Sequence, residues 1–258
     1  MDTPTTVGRV IEPAEPERDR RYATTLAKGL QVLQAFSASD HTLGNRELAR
    51  RTGMPPSTVA RMTFTLTRLG FLHQLKPEDG YRLGPAVMAL GYTARAGLSF
   101  LPTAEPLLQE LADEVGALVA LAMRDGDAVM LTRCWRPRNT PTIWLTEGHR
   151  LPLNRSSPGR AILAAARRAP DDPPEVTKDR ARLQSRGFLT SLGHWNENIN
   201  ACAVPFWPDP SQGPAAFLCG AQADILPQAL LEKKVGPRLL ARVRELERSL
   251  GISDLRPL

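Results

Sequence analysis

Between residues 22 and 69 the apolar residues recur every three or four positions, and turn-forming residues interrupt them twice. This spacing predicts three helices, over residues 22–38, 45–52 and 56–69. The first would face the core with a stripe formed by Leu26, Leu30, Leu33 and Phe36. Asn45 is a candidate N-cap for the second helix. Gly53 and the two prolines after it suit a sharp turn into the third, because a proline at a helix start leaves no extra N–H unpaired. The pattern predicts a helix–turn–helix.

The third predicted helix has two chemically different faces. Its inward face is apolar and consists of Val59, Met62, Leu66 and Leu69. The opposite face carries only hydroxyl and guanidinium groups, on Thr58, Arg61, Thr65 and Arg68. Arginine reads guanine edges, and Ser and Thr reach bases or phosphates, so this face suits a DNA major groove.

A short β-hairpin is predicted directly after these helices. Residues 71–75 and 81–83 read as strands, and residues 76–80 between them have the composition of a turn, including an Asp79-Gly80 step. A hairpin this small is not stable alone and must pack on the helices. It is therefore interpreted as a wing beside the helix–turn–helix.

The rest of the chain mixes both periodicities. Helices are predicted over residues 85–99, 102–115, 156–168, 174–186 and 227–250, and strands over 118–124, 128–135, 142–146, 201–207 and 214–222. Strands flanked by helices predict an α+β fold. The resulting organisation is a disordered tail (1–21), a mainly α DNA-binding domain (22–84), a linker helix (85–100) and a second domain (101–258).

Composition narrows the class of protein. Hydrophobic residues make up 42% and charged residues 23%, as in globular proteins, and no apolar run is long enough to span a bilayer. Residues 21–84 hold nine basic and four acidic residues, whereas residues 1–20 hold three and five. Such a basic segment attracts polyanions, although a solvated basic face explains the charge equally well. No hydrophobic signal region is visible, so we expect a cytoplasmic protein without a membrane partner.

No pattern indicates a metal site, a cofactor or a catalytic centre, so we expect the protein not to be an enzyme. Cys134, Cys202 and Cys219 are widely spaced and form no Cys-x-x-Cys pair. A redox-responsive regulator that uses one of these thiols is an alternative. However, Cys202 and Cys219 lie in apolar strands, where cysteine usually acts as an inert small hydrophobe.

From about residue 25 to residue 251 the chain resembles the IclR-type bacterial transcription regulators. The resemblance rests on ELARRTGMPPSTVAR (47–61), YRLGP (81–85), LPLNRSSPGRAIL (151–163) and RGF (186–188), in this order. It implies a winged helix–turn–helix and a C-terminal effector-binding domain with a GAF-like fold. It also implies a homodimer, often paired into a tetramer, that binds double-stranded operator DNA under the control of a small metabolite.

The resemblance places residues 56–69 in the major groove, with the N-terminal residues nearest the bases. Arg61 is the best candidate for a base contact, and Ser57 could either contact DNA or simply cap its helix. Arg68 is more plausibly a surface charge. Arg46 and Arg51 would meet the backbone, and Arg82 would reach phosphate or the minor groove from the wing. The expected DNA contacts are Arg46, Arg51, Ser57, Thr58, Arg61, Thr65 and Arg82.

In the family, backbone N–H groups that start the helix after Leu-Pro-Leu can bind a carboxylate. Pro158 removes one donor here, and Arg150 and Arg160 would either supplement the charge or stay exposed. Small or apolar residues replace polar ligand groups common in the family, which favours a partly apolar acid, such as an aromatic one, stacked on Trp144 or Trp195. Those tryptophans could instead be core or interface residues, and the protein could bind DNA without effector control. The expected effector site comprises Trp144, Asn154, Ser156, Ser157, Gly159, Ser191, Trp195, Ala201, Leu218 and Gly220.

Overall fold

A computed structural model describes residues 21–37, 39–74, 76, 79–209 and 213–252. The chain divides into two compact units between Gly97 and Leu98. Most of the predicted tail, residues 1–20, and part of the predicted wing turn, residues 75, 77 and 78, lie outside the described residues.

The first unit contains the helix–turn–helix and its wing. Its elements are α1 (Thr24–Gln34), α2 (Asn45–Thr52), α3 (Pro56–Arg68), β1 (Leu72–His73), β2 (Arg82–Leu83) and α4 (Pro85–Ala96). Gly53 follows α2 with a φ of 68°, a left-handed conformation that glycine adopts without steric cost. This residue lets the chain reverse between α2 and α3.

The core of the first unit differs from the predicted one at α1 and at the end of α3. Val32 is the one residue of α1 that is buried, whereas Leu26 and Leu30 are 63% and 49% exposed. Leu69, predicted to face inward, is also exposed, because it follows the last turn of α3. The buried core comes from α1, α2, α3, β1 and the segments between them, and consists of Val32, Ala35, Leu43, Leu48, Met54, Val59 and Leu72.

The wing is a two-stranded antiparallel ribbon in which Leu72 pairs with Leu83. Tyr81 also pairs with Leu43, in the connection before α2, through backbone hydrogen bonds of 2.9 Å in both directions. The wing is thereby tied to the segment that leads into α2.

The second unit is built on one six-stranded antiparallel sheet. Its strands are β3 (Leu118–Asp125), β4 (Ala128–Trp135), β5 (Arg150–Pro152), β6 (Leu189–Leu192), β7 (Ile199–Phe206) and β8 (Ala215–Gln222), in the spatial order β5-β4-β3-β8-β7-β6. Its helices are α5 (Leu101–Val115), α6 (Ser157–Ala165), α7 (Pro174–Arg186), α8 (Gln228–Leu230) and α9 (Gly236–Ser249), with a π-helical stretch, Leu231–Val235, between the last two.

Both faces of this sheet are covered. Val119 and Leu121 of β3 belong to a core shared with α5 and α9, whereas their neighbours Leu118 and Ala120 belong to a core shared with α6. This alternation is what a strand with two buried faces requires. The predicted α+β class is confirmed.

Two strand assignments and one helix assignment need correction. Residues 142–146, predicted as a strand, form none, and the edge strand of this end is β5. Strand β6 was missed because its four residues, Leu189–Leu192, give too short a pattern. The predicted helix over 227–250 is present as α8, the π-helical stretch and α9.

Candidate functional site

Helix α3 presents an exposed polar face away from the core. Ser57, Arg61, Thr65 and Arg68 are exposed, and Thr58 is half-buried. The N-terminus of α3 has no side-chain cap, so Ser57 does not act as the helix cap that was its alternative role. The Thr65 hydroxyl donates to the Arg61 carbonyl oxygen at 3.0 Å.

The same exposed face also carries Phe64, which the sequence prediction left out. Its side chain is 67% exposed. The signal was available in the sequence, because Phe64 lies seven residues after Ser57 and three after Arg61, and both spacings place residues on one helix face.

Arg46 and Arg51, the two predicted backbone contacts of α2, have different surroundings. Arg46 is exposed. The Arg51 guanidinium donates to both carboxylate oxygens of Asp40, at 2.6 and 2.8 Å, to the Ala35 carbonyl at 3.0 Å, and to Glu47 at 2.7 Å. The hydrogen bonds from Arg51 to the Asp40 carboxylate hold the pKa of Asp40 at about 2. Arg51 therefore links α2 to the end of α1, a role that the sequence analysis did not foresee.

A partly buried polar contact joins α3 to α2. Thr63 is fully buried, and its hydroxyl lies 3.1 Å from the Asn45 side-chain oxygen and equally far from the Val59 and Ala60 carbonyl oxygens, each of which can accept its one proton. Asn45 is not the N-cap of α2, because Gly44 occupies that position and no side chain caps the helix. On the wing, Arg82 is exposed, as a backbone contact would need.

A cavity in the second unit lies between the sheet and the start of α6. Most of the predicted effector residues line it: Ser156, Ser157, Ser191, Trp195, Ala201, Leu218 and Gly220. The strand register places three of these residues side by side, because Ser191 pairs with Ala201, and Ala201 pairs with Gly220. The lining residues that the prediction missed are Ile143, Leu145, Leu151, Pro158 and Ile199.

The cavity is narrow and mostly apolar. Its volume is about 30 Å³. Ser156 caps α6: its hydroxyl accepts from the Gly159 N–H at 3.2 Å and donates to the Pro152 carbonyl at 2.7 Å. The neighbouring Ser157 hydroxyl is buried with no hydrogen-bond partner among the described residues. Ser157 lines the cavity, so this hydroxyl belongs to the cavity wall.

The remaining three predicted effector residues do not line the cavity. Trp144 is 73% exposed, and the Arg136 guanidinium lies over its ring at 5.1 Å. Asn154 lies in a separate surface groove beside α7. At Gly159 a Cβ atom would come within 2.2 Å of the Leu153 carbonyl oxygen, so this glycine allows α6 to pack closely on the preceding turn.

The two arginines that could have supplemented the cavity's charge both have other partners. Arg150 pairs with Asp125. Arg160 donates to both carboxylate oxygens of the buried Asp179, at 2.7 and 2.6 Å. Neither side chain lines the cavity.

Trp195 lines the cavity and lies beside two histidines. Its ring meets that of His149 edge-on, with centroids 6.0 Å apart. The adjacent His194 places its Nδ1 3.2 Å from the Ser191 hydroxyl and 3.3 Å from an Arg160 nitrogen. The segment that carries His194 and Trp195 is therefore hydrogen-bonded to Ser191 in the cavity wall and to Arg160 of α6.

The three cysteines are all buried. Burial raises the pKa of the Cys134 and Cys202 thiols to about 12 and that of Cys219 well above its usual value. Within the described part of the chain, no cluster of His, Cys, Asp and Glu is placed to hold a metal ion. The helices described there also include none with the length and apolar character needed to cross a membrane.

Comparison with known proteins assigns both units. Residues 25–76 match the IclR helix-turn-helix domain, and residues 96–184 match the domain described as bacterial transcriptional regulator IclR C-terminal. The crystal structure of an IclR family transcriptional regulator from Brucella abortus is 34% identical. It covers 96% of this chain and 100% of its own, with a TM-score of 0.77.

Two curated relatives are similar over most of their length. The HTH-type transcriptional regulator TsaQ1/TsaQ2 of Comamonas testosteroni is 26% identical over 242 residues, which are 86% of this chain and 87% of that protein. The Pca regulon regulatory protein of Pseudomonas putida is 26% identical over 249 residues, 88% and 84% of the two chains. These relatives are transcriptional regulators and not enzymes. The chain therefore belongs to the IclR family of transcriptional regulators and carries that family's DNA-binding domain.

Proposed function

We propose that this regulator binds operator DNA as a dimer and that a small molecule held in the second unit's cavity changes that binding. The observation that carries the effector half is the unpartnered Ser157 hydroxyl inside an apolar cavity at the N-terminus of α6. A protein with this role acts where the operator is, in the cytoplasm.

On DNA, α3 enters the major groove and Arg61 reads a base edge. Ser57, Thr58 and Thr65 contact bases or phosphates, and Arg46 and Arg82 contact the backbone. Arg51 acts through α2, because its guanidinium already binds Asp40 and Ala35. The exposure of Ser57, Arg61 and Thr65 on one side of α3 supports this division.

Selection of duplex DNA from random fragments with the full-length protein, followed by salt-dependent binding measurements, tests the DNA half. Arg61→Ala should cost about 1–3 kcal/mol and relax preference at one base pair. Arg46→Ala should weaken all sequences equally and reduce the salt slope by about one per contact. Identical behaviour of the two variants across operator sequences would contradict the assigned roles. If no fragment is enriched, the proposed function fails.

The dimer is supported by an apolar stripe that the first unit leaves in solvent. Leu26 and Leu30 lie one turn apart on α1 and Tyr22 lies just before that helix; all three are exposed, as are Met88 and Tyr92 of α4. Burying such a stripe against a second copy removes apolar surface from water. A two-fold dimer would set its reading helices about 34 Å, or a multiple, apart.

Sedimentation equilibrium tests the dimer and distinguishes it from a tetramer. Leu26→Glu with Leu30→Glu should give a monomer, whereas Thr24→Glu, on the opposite side of the same helix, should leave the assembly unchanged. A double variant that sediments as wild type would remove α1 from the interface.

The effector that best suits the cavity is a partly apolar acid. Its apolar body would lie on Leu218, Ile143 and Leu145, and its carboxylate would take the Ser157 hydroxyl and the positive end of α6. Since the free space holds only about two waters, such a ligand must displace Trp195. Thiol-based sensing is disfavoured, because the buried cysteines have raised pKa values.

Thermal unfolding with benzoate and with acetate tests this choice, because a ligand of the folded state raises the melting temperature by mass action. Benzoate should stabilise the second unit more than acetate. With Ser157→Ala, about ten times more benzoate should be needed for the same rise in melting temperature. Ser185→Ala, which changes an exposed serine of α7, should leave the required concentration unchanged. No stabilisation by any aromatic or aliphatic acid would favour a regulator without effector control.

A further inference from the structure

Phe64 occupies the middle of the exposed face of α3. At 100° per residue it lies about 20° from Ser57, 40° from Arg68 and 60° from Arg61 around the helix axis. Those three polar residues lie on one side of Phe64, Ala60, which is also exposed, lies about 40° away on the other side, and the Phe64 ring is 67% exposed. An isolated exposed hydrophobic residue needs no explanation by itself, but Phe64 lies midway across the exposed side of α3, next to the polar residues expected to contact DNA.

The core of the first unit does not use the ring. Helix α3 packs inward through Val59 and Thr63, which are buried, and through Met62 and Leu66, which are partly buried against the same core. The exposed apolar stripe of the unit runs along α1 and α4 and does not include Phe64. The side chain is therefore a feature of the outer face of α3.

Helical side chains lean toward the N-terminus of their helix, so the ring covers the turn that contains Ala60 and Arg61. Ala60 has only a methyl group and leaves that turn open. The ring thus lies toward the end of α3 where base contacts are made in helix–turn–helix complexes. A phenyl ring offers no hydrogen bond, and in the major groove its apolar partner is the methyl group of thymine.

We propose that Phe64 is a specificity-determining residue that recognises a thymine methyl beside the base pair contacted by Arg61. The inference rests on the proposed docking of α3 in the major groove. Phe64 selects thymine over cytosine by burying the methyl group, while Arg61 supplies the hydrogen bonds. The two residues together read adjacent positions by different chemistry.

Replacing thymine with deoxyuridine removes only this methyl group and keeps every base-pairing atom. Each thymine of the selected operator is replaced in turn, and binding of the full-length protein is measured by fluorescence anisotropy. Wild-type protein should lose about fourfold in affinity at one position per half-site, the equivalent of one buried methyl group. Phe64→Ala should lose affinity for the thymine operator and show no further loss with deoxyuridine at that position. Phe64→Leu should keep part of the discrimination.

Leu69→Ala is the matched control, because Leu69 is an equally exposed apolar residue just beyond the same helix. It should respond to deoxyuridine as wild type does. The proposal is overturned if wild-type protein tolerates deoxyuridine everywhere or if Phe64→Ala keeps the full deoxyuridine effect. It is also overturned if Phe64→Ala abolishes dimerisation in sedimentation, which would place the ring against a second copy. Absence of any selected operator would instead count against the proposed function.

Discussion

Replacing Arg51 with alanine should destabilise the first unit without removing a DNA contact. The substitution deletes two hydrogen bonds to Asp40 and one to the Ala35 carbonyl at the end of α1. The Asp40 side chain is only 11% exposed and would keep just the Ser37 N–H and hydroxyl as donors. Without the Arg51 guanidinium, these hydrogen bonds no longer link α2 to the end of α1.

The loss of unfolding free energy in Arg51→Ala should lie between the values for a buried and for an exposed ion pair. Breaking a fully buried ion pair costs about 3–5 kcal/mol, and breaking an exposed one costs about 0–1 kcal/mol. The pKa of Asp40, held at about 2 instead of 3.8, corresponds to about 2 kcal/mol. We therefore expect Arg51→Ala to lower the free energy of unfolding by about 2 kcal/mol. Arg50→Ala is the control, because Arg50 is 71% exposed and its partner among the described residues is the surface residue Glu47, so its loss should be much smaller than that of Arg51.

The chain offers a way to assign the effect to one unit. All four tryptophans lie after residue 97, in the second unit, and all three tyrosines lie before it. Tryptophan fluorescence should therefore report unchanged unfolding of the second unit in Arg51→Ala, while amide exchange in α1 and α2 becomes faster.

DNA binding supplies the decisive comparison. If Arg51 contacted a phosphate, its removal would reduce the salt slope by about one for each contact. We expect the slope of Arg51→Ala to equal that of wild type. An unchanged stability together with a reduced slope would refute the reasoning and restore Arg51 as a backbone contact.

Three further predictions concern other buried charges and thiols. Arg160→Ala should cost about 3 kcal/mol in tryptophan-monitored urea unfolding, because Asp179 is 4% exposed, whereas Arg182→Ala, at 59% exposure, should cost under about 1 kcal/mol; equal costs would contradict this. Because the folded-state pKa of Asp40 is depressed, its stabilising pair is complete above about pH 4 and is lost as the pH falls toward 2; the protection factors of α2 amides should fall over that window in wild type, and by less in Asp40→Asn, in which Glu47, whose pKa is also lowered to about 2, still titrates. The three cysteines should resist alkylation at neutral pH in the native state and react in urea, and rapid native labelling would revive the redox alternative.

The local sequence pattern was sufficient to predict most helices and the strand residues that line the cavity. Gly53 and the prolines after it marked the α2–α3 turn, and the Asp125-Gly126-Asp127 turn between two apolar segments marked β3 and β4. The prediction failed where partners are distant in sequence. Residues 142–146 alternate like a strand, but instead they supply Ile143 and Leu145 to the cavity wall, because β5 takes the position beside β4.

The role of a charged side chain was the property least accessible from sequence. Arg50 and Arg51 are neighbours in one short helix and look interchangeable, yet about 100° of helical rotation turns one to solvent and the other toward Asp40. Asp40 lies 11 residues upstream, outside any helical spacing that could have indicated the pair. Arg160 likewise meets Asp179 only because α6 packs on α7. Counting basic residues therefore overstates the charge that this fold leaves available to a polyanion. Exposed arginines such as Arg46, Arg61 and Arg82 are the ones whose number should set the salt dependence.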